Sequence, residues 1–287
     1  MGDLVLHEPV MREEVASFIR GENMLIDATV GTGGHAEFLL QKFAGLKILG
    51  LDKDRSALAV AEQRLKKFAP RVKLLYSDYR RLPEMEIDWT QVEGVFFDLG
   101  ISSFQLAAQG RGFSYLRDEI LDMRFDPAEG EPAYVWLNRA SYSELVRAFL
   151  DYADLKRAYS LARSILDLRP HIRTTHDVIT AVKKAYGQAN PSLLSRVFQA
   201  IRIAVNRELE GLDELLERLV EKLNPGSRLL LITFHSFEDR IVKQTFRKME
   251  KEGKAKVLTK KPVLPSEAEV SVNPRARSAH LRVCEVI

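Results

Sequence analysis

Hydrophobic and polar positions follow two different periods along the first hundred residues of the chain. Short apolar runs typical of buried strands alternate with segments that have an apolar residue every three or four positions, as amphipathic helices do. The predicted strands are residues 24–28, 47–51, 72–76 and 94–97, and the predicted helices between them are residues 36–43 and 55–68. Strands alternating with helices indicate a parallel sheet with crossover helices, which is an α/β fold.

The pattern changes near Arg111, where strand character is lost until about residue 227. Apolar spacing predicts helices at residues 134–138, 143–152, 155–168, 176–186 and 212–223, and a long helix that starts after Pro191 and breaks before Gly211. Apolar runs at residues 227–234, 255–264 and 281–287 then predict further strands. The sequence therefore predicts a discontinuous α/β domain of residues 1–110 and 206–287, interrupted by a helical insertion of residues 111–205. Because this insertion follows the carboxyl end of a strand, a substrate-recognition role is favoured over a purely structural one.

Composition and charge narrow the class of protein only slightly. The 287 residues are 46% hydrophobic with a net charge of +3, which is ordinary for a globular protein and permits a nucleic-acid partner. The first residues do not resemble a signal peptide and no apolar run is long enough to span a bilayer, so we expect a cytoplasmic protein without a membrane partner. Cys284 is the only cysteine and lies in an apolar run, where a buried, unreactive thiol is expected. No metal site is predicted.

The segment DATVGTGGH at residues 27–35 joins the first predicted strand to the first helix. Glycine permits positive φ and close approach of the backbone to a ligand, and a helix N-terminus attracts anionic groups. Gly31, Gly33 and Ala36 also fit the dinucleotide fingerprint, with Asp52 about twenty residues further on. Asp27 at the strand end favours S-adenosylmethionine, since a carboxylate accepts from its ammonium group but repels a pyrophosphate. NAD stays open as the alternative.

Four aspartates, Asp27, Asp52, Asp78 and Asp98, end or closely follow the four predicted strands. The carboxyl ends of parallel strands meet at the ligand crevice of an open sheet. Asp52 is predicted to accept from ribose hydroxyls, and Asp78 with Tyr79 to meet an adenine ring. Asp98 is predicted to accept an N–H of an exocyclic base amine and to take its proton, with a cofactor contact as the alternative. A helix N-cap is the alternative role for each acid taken alone.

Basic residues in the insertion and near the C-terminus are candidates for contacts with RNA phosphates. These candidates are Arg111, Arg124, Arg275 and Arg277. Trp136 offers a surface on which an extruded base could stack. Solvated surface positions for the arginines and a core position for Trp136 are the alternatives. His7 and His235 could act as acid, base or donor, or hold structural roles.

Eight motifs distributed along the chain carry a resemblance to a known family. They are HEPV (7–10), DATVGTGGH (27–35), DLGISSFQL (98–106), RGFS (111–114), LDMR (121–124), FQAIRIAVNREL (198–209), FHSFEDR (234–240) and NPRARSAH (273–280). In this order they resemble the bacterial 16S rRNA cytosine-N4 methyltransferases known as RsmH or MraW. Two segments depart from the family pattern: Asn190-Pro-Ser replaces His-Pro-Ala, and Tyr152-Ala-Asp-Leu replaces a Tyr-Gly-Glu-Glu-like stretch. Both lie in the insertion, so they put its RNA contacts in doubt rather than methyl transfer.

The resemblance implies a class I S-adenosylmethionine-dependent methyltransferase, with a Rossmann-like, mostly parallel seven-stranded sheet and an inserted all-helical domain. It implies N4-methylation of a cytidine in the decoding region of 16S rRNA, with the small ribosomal subunit as partner. The cofactor residues that it implies are Gly33, Gly34, His35, Asp52, Tyr79, Asp98 and Gln105. An RNA-binding assembly factor with a vestigial cofactor site and an NAD-linked oxidoreductase are the alternatives. The oligomeric state stays open, with a homodimer among the options.

Overall fold

The computed structural model describes residues 9–107 and 109–287, and His7 lies outside them. The chain divides into two compact units: the first comprises Met1–Gly100 and Gly211–Ile287, and the second comprises Ile101–Glu210. The predicted insertion, residues 111–205, lies within the second unit. The strands are β1 (Met24–Asp27), β2 (Lys47–Asp52), β3 (Val72–Tyr76), β4 (Val92–Asp98), β5 (Arg228–Thr233), β6 (Ala255–Val257) and β7 (His280–Val286).

These strands form one seven-stranded sheet in the first unit, in the order β3-β2-β1-β4-β5-β7-β6. The strands β1 to β5 pair in parallel, whereas β7 runs antiparallel to both β5 and β6. The chain builds outward from β1 to β3 on one side and returns to β4 on the other, so the order reverses between β1 and β4. Ligands bind at such a switch point, outside the carboxyl ends of the strands. The predicted α/β class with a mostly parallel seven-stranded sheet is confirmed.

Twelve α-helices occur in the part of the chain that the structure describes. They are α1 (Arg12–Ser17), α2 (Gly34–Lys42), α3 (Arg55–Leu65), α4 (Ser103–Ala107), α5 (Ala133–Arg139), α6 (Tyr142–Asp151), α7 (Ala158–Leu168), α8 (Thr175–Tyr186), α9 (Pro191–Asn206), α10 (Leu212–Lys222), α11 (Ser236–Lys251) and α12 (Glu267–Val272). The helices of the first unit cover both faces of its sheet. Phe96 and Phe97 of β4 point to opposite faces because side chains alternate along a strand. Phe97 packs in a core with Leu216 of α10 and Phe246 of α11, and Phe96 in a core with Leu39 of α2.

The second unit is helical and has a core of its own, which includes Phe149, Ile165 and Val197. Two of its helices, α6 and α9, begin at the polar capping residues Ser141 and Asn190. The Ser141 hydroxyl accepts from the Glu144 N–H at 3.2 Å, and the Glu144 carboxylate accepts in return from the Ser141 N–H at 2.7 Å. Such a reciprocal pair satisfies two N–H groups that a helix start otherwise leaves unpaired.

The longest element outside the predicted set is α11, a 16-residue helix that follows β5. Its buried apolar residues include Val242, Phe246 and Met249, which are spaced by four and three positions as on one helix face. Charged residues occupy most of the intervening positions, so apolar residues are few along this helix and its buried stripe is narrow.

Neither a membrane-spanning helix nor a metal-binding cluster occurs among the described residues. None of their helices has the length and apolar composition needed to cross a membrane. No group of three or more His, Cys, Asp or Glu side chains among them is arranged to hold a metal ion.

Candidate functional site

The β1–α2 loop gives the site its backbone. Gly31 and Gly33 have φ values of 53° and 81°, in the left-handed region that favours glycine. A Cβ atom at Gly33 would lie 3.1 Å from Cδ1 of Leu65 in α3, so a larger residue there would crowd the helix. A Cβ at Gly31 would meet no atom nearer than 3.9 Å, which leaves the space in front of the loop open to a ligand. The loop ends at Gly34, where the N–H groups of α2 begin.

Asp52 ties the end of β2 to this loop. Its Oδ2 accepts from the Gly31 N–H and its Oδ1 from the Asp54 N–H, both at 2.8 Å. Burial raises the pKa of Asp52 to about 6, although these two N–H groups act in the opposite direction. Each carboxylate oxygen keeps a second acceptor site, as the predicted contact with ribose hydroxyls requires.

Asp98 lies at the end of β4 and faces the same switch point. Its N–H donates to Oγ1 of Thr29 at 2.7 Å, which connects β4 to the residues just after β1. Its side chain is 27% exposed, but Oδ1 is shielded from solvent and has no hydrogen-bond partner among the described residues. Burial, with further repulsion from Asp27 and Glu238, raises the pKa of Asp98 to about 8. A shielded carboxylate oxygen without a partner can accept a hydrogen bond from a bound ligand.

Asp27 is the most deeply buried acid of the loop, with 1% of its surface exposed. Burial, with further repulsion from Asp52, raises the pKa of Asp27 to about 7. The Thr29 N–H, which donates to Oδ1 at 3.3 Å, acts to lower this pKa.

His35 approaches Asp98 from the first turn of α2. Its Nε2 lies 2.8 Å from the Val10 carbonyl oxygen, which can only accept, so Nε2 carries a proton. The other ring nitrogen, Nδ1, faces Oδ2 of Asp98 at 3.5 Å. Since neutral Nδ1 and ionised Oδ2 are both acceptors, this approach is favourable when one of the two is protonated. His35 and Asp98 therefore form a pair that can hold one proton between them.

Glu238 in α11 is a site residue that the sequence analysis missed. It is 1% exposed, and its Oε2 accepts from the Phe234 N–H at 2.9 Å. Its own N–H donates to Nδ1 of His235 at 3.3 Å, so His235 is the N-cap of α11. The sequence signal was available in the FHSFEDR motif, where an acid three residues after a cap residue resembles a capping box.

Tyr79 and Asp78 follow β3 but differ in what they offer a ligand. Tyr79 opens a 3-10 helix at Tyr79–Glu84, and its ring meets Phe97 edge-on with centroids 5.6 Å apart. The Asp78 carboxylate accepts from the Arg80 N–H at 2.9 Å and from Nε of Arg80 at 3.0 Å. Burial acts to raise the pKa of Asp78, but these bonds outweigh it and hold the pKa below its usual value. Asp78 is thus a helix cap and an ion-pair partner.

Three predicted residues of the second unit make structural contacts there. Ser102 and Gln105 cap α4 reciprocally, because each side chain accepts from the other's N–H at 3.1 Å. Arg111 donates from Nη2 to the carbonyl oxygens of Arg124 and Phe125 at 2.8 and 2.9 Å. Arg124 in turn forms a two-pronged pair with the carboxylate of Asp122, at 2.7 and 2.8 Å. These contacts give both arginines a structural role rather than the solvated surface position named as the alternative, and their contact with RNA stays a prediction.

The remaining substrate candidates differ in exposure. Trp136 is half-buried and packs against the core of the second unit. Arg275 and Arg277 lie on the 3-10 helix Pro274–Ser278 of the first unit, and both are exposed.

The chain is similar in sequence to known proteins along nearly its whole length. The sequence profile of the MraW methylase family matches residues 4–287. The ribosomal RNA small subunit methyltransferase H of Thermotoga neapolitana is 44% identical over 294 residues, covering 98% of this chain and 96% of the relative. The protein of the same name from a Sulfurihydrogenibium species is 40% identical over 293 residues, covering 98% and 99%. An rRNA methylase structure from Streptococcus thermophilus is similar with a TM-score of 0.43 at 14% identity, covering 96% of this chain and 93% of that one.

The open glycine loop and the carboxylates of Asp27 and Asp52 beside it fit an ammonium-bearing nucleoside cofactor better than a pyrophosphate. The full-length sequence match settles the choice against the NAD-linked alternative. The chain belongs to the MraW methylase family, whose methyl donor is S-adenosylmethionine.

Proposed function

We propose that the protein transfers a methyl group from S-adenosylmethionine to the N4 amine of a cytidine in the decoding region of 16S rRNA, within the small ribosomal subunit. The relatives named small subunit methyltransferases support the substrate class. The observation that carries the proposal is the Oδ1 atom of Asp98, a shielded acceptor without a partner in the described chain. An amine donor at this position would remove the cost of burying an unpaired oxygen.

The chemistry requires a base because an exocyclic amine is a weak nucleophile, its lone pair being delocalised into the ring. Oδ1 of Asp98 accepts one N–H of the amine, which keeps the lone pair available for the new N–C bond. S-adenosylmethionine, when bound, supplies the electrophilic methyl group. The proton of the amine passes to Asp98, whose raised pKa makes the carboxylate a better proton acceptor than an exposed aspartate.

His35 is proposed to share this proton. Its protonated Nε2 is fixed by the Val10 carbonyl, so Nδ1 is the atom that can receive a proton from Oδ2 of Asp98. Transfer to Nδ1 would restore the negative charge of Asp98 for the next turnover.

The state of Cys284 supports an amine target rather than a ring carbon. Methylation at C5 of a pyrimidine normally requires a cysteine thiolate that adds to the ring. Cys284, the only cysteine of the chain, is fully buried in β7, and burial raises the pKa of its thiol far above the usual range. It is therefore not available as a nucleophile.

Two measurements separate this function from its alternatives. Calorimetry is expected to show binding of S-adenosylmethionine and none of NAD. Label from methyl-labelled S-adenosylmethionine is then expected in the RNA of 30S subunits isolated from cells that lack this enzyme, or in naked 16S rRNA. Cofactor binding without label in either substrate would favour the assembly-factor alternative and overturn the proposal.

A further inference from the structure

A groove of about 170 Å³ lies at the β6 edge of the sheet, between α11 and the strands β6 and β7. Five charged side chains line it: Lys243 and Arg247 of α11, Glu250 of α11, Lys260 after β6, and Arg282 of β7. Four cations thus face one carboxylate in a concave surface that the proposed reaction does not use.

Two of these five charges are already engaged. Arg282 donates from Nε and Nη2 to the two oxygens of Asp239, at 2.6 and 2.8 Å. Oε1 of Glu250 accepts from the Val257 N–H at 3.0 Å. The other three cations, Lys243, Arg247 and Lys260, form no ion pair with any residue in the ranges 9–107 and 109–287.

Two lysines in or just after α11, by contrast, form ion pairs with nearby carboxylates. Nζ of Lys248 lies 2.6 and 2.8 Å from the two oxygens of Glu217 in α10. Nζ of Lys254 lies 3.2 Å from Glu252 and 3.6 Å from Glu221. Lys243 and Arg247, on the groove side of α11, have no carboxylate at such a distance in the part of the chain that the structure describes.

The cations extend along α11 toward its N-terminal end, the end that also carries Glu238. Arg240 precedes Lys243 by three positions and Arg247 by seven, which places all three cations on one side of the helix. With a rise of 1.5 Å per residue, the stripe is roughly 10 Å long. It starts two residues after Glu238, the residue whose charge acts on Asp98, but on the exposed side of the helix rather than on the buried side that carries Glu238.

We propose that the groove and this stripe, formed by Arg240, Lys243, Arg247 and Lys260, bind phosphate groups of the RNA substrate's backbone. The inference rests on the proposed function and adds a docking surface to it. Lysine and arginine contacts with phosphates fix the position of a nucleic acid without reading its sequence. Each such contact releases counterions, which makes binding salt-dependent.

The test uses the full-length triple variant Lys243→Gln, Arg247→Gln, Lys260→Gln. The matched control is the triple variant Lys47→Gln, Lys66→Gln, Lys73→Gln, which removes the same number of positive charges. These three lysines are exposed, lie in or near β2 and β3, and form no ion pair within the described ranges. Binding to unmodified 30S subunits is measured at several salt concentrations, and the Kd for S-adenosylmethionine and the thermal midpoint are measured alongside. The single variant Lys260→Gln, at an exposed loop position, is a second test that places little demand on folding.

The groove variant is expected to bind the subunit roughly tenfold or more weakly at about 0.1 M salt, and its slope of log Kd against log salt should fall by about two to three. The control variant and cofactor binding should change less than about twofold. Equal subunit binding and equal slopes in the two triple variants would overturn this inference alone. Failure of the unsubstituted protein to methylate either the subunit or naked 16S rRNA would instead overturn the proposed function, and this inference with it.

Discussion

At the scale of single residues, Asp98 combines three features of a proton acceptor. Its backbone is anchored by Thr29, its Oδ1 is shielded and unpartnered in the described chain, and its Oδ2 faces Nδ1 of His35. Burial and the neighbouring carboxylates raise its pKa to about 8, which brings its titration close to neutral pH.

Replacing Asp98 by asparagine should separate binding from chemistry. Asparagine has the same shape and can still accept an N–H, but it cannot take a proton at neutral pH. We expect the rate of methyl transfer to fall by about 10²-fold or more, with the Kd for S-adenosylmethionine changed by only a few-fold. Single-turnover kinetics and calorimetry measure the two quantities. A rate within threefold of the unsubstituted enzyme would remove Asp98 from proton transfer.

The buried carboxylates also make stability depend on pH. The folded pKa of Asp27, about 7, exceeds its ordinary value of 3.8, so the folded state holds a proton that the unfolded state has lost. The free energy of unfolding should therefore fall as the pH rises from about 4 to about 7, by up to about 1.4 kcal/mol per pH unit for one such group.

Urea unfolding at several pH values tests this dependence. The variant Asp27→Asn, whose amide oxygen can still accept from Thr29, should show a flatter profile and a higher stability at pH 8. The control Asp151→Asn, at an exposed position of α6, should keep the original slope. An Asp27→Asn profile as steep as that of the control would contradict the buried-charge explanation.

The site residues differ in how far the sequence could predict them. Asp52 and Asp98 could be predicted because each ends a recognisable apolar strand, and strand ends converge in a parallel sheet. The FHSFEDR motif signals only that Glu238 lies at a helix cap; its effect on Asp98 could not be predicted, because that depends on the pairing of β4 with β5, where Asp98 lies beside Ile232. Asp78 and Gln105 were predicted to contact the cofactor, but their side chains cap helices instead of being left open to a ligand. Such local hydrogen bonds could not be predicted, because these residue types permit them but do not require them.

At the scale of elements, the β1–α2 loop depends on Gly33. Gly33→Ala should lower the free energy of unfolding by about 1–2 kcal/mol from its positive φ alone. Contact of the new Cβ with Leu65 should also displace the loop and raise the Kd for S-adenosylmethionine. Gly187→Ala is the control, because Gly187 has a φ of 76° but open space around it. Equal cofactor affinity in the two variants, measured by calorimetry, would show that crowding at Gly33 does not matter.

The elements themselves were predictable where one physical signal dominated. Strand β3 has the predicted bounds because its apolar run is isolated by polar residues, and β1, β2 and β4 agree within two residues. Helix α11 was missed because its buried residues form a narrow stripe among charges. The run predicted at residues 255–264 is a strand only to Val257, and Leu258 and Thr259 still donate their N–H groups to β7 beyond it.

At the scale of the whole molecule, the net charge is only +3, but cations outnumber carboxylates locally, as in the groove beside α11. Arg124 is held by Asp122, whereas Arg277 is exposed and forms no ion pair with the residues that the structure describes. Arg124→Gln should lower the stability by about 1 kcal/mol through loss of that pair, and Arg277→Gln should leave stability unchanged. If Arg277 contacts RNA, only its variant should weaken binding to the 30S subunit at constant cofactor affinity. A stable Arg124→Gln protein with weakened RNA binding would reverse these assignments.

The identity of the methylated nucleoside tests the central claim most directly. Unmodified 30S subunits are incubated with the enzyme and labelled S-adenosylmethionine, and the RNA is digested to nucleosides for mass spectrometry. N4-methylated cytidine is expected with the unsubstituted enzyme and should be lost with Asp98→Asn. A methyl group on a ring carbon or on another nucleoside would contradict the assignment of Asp98 as acceptor of an amine proton.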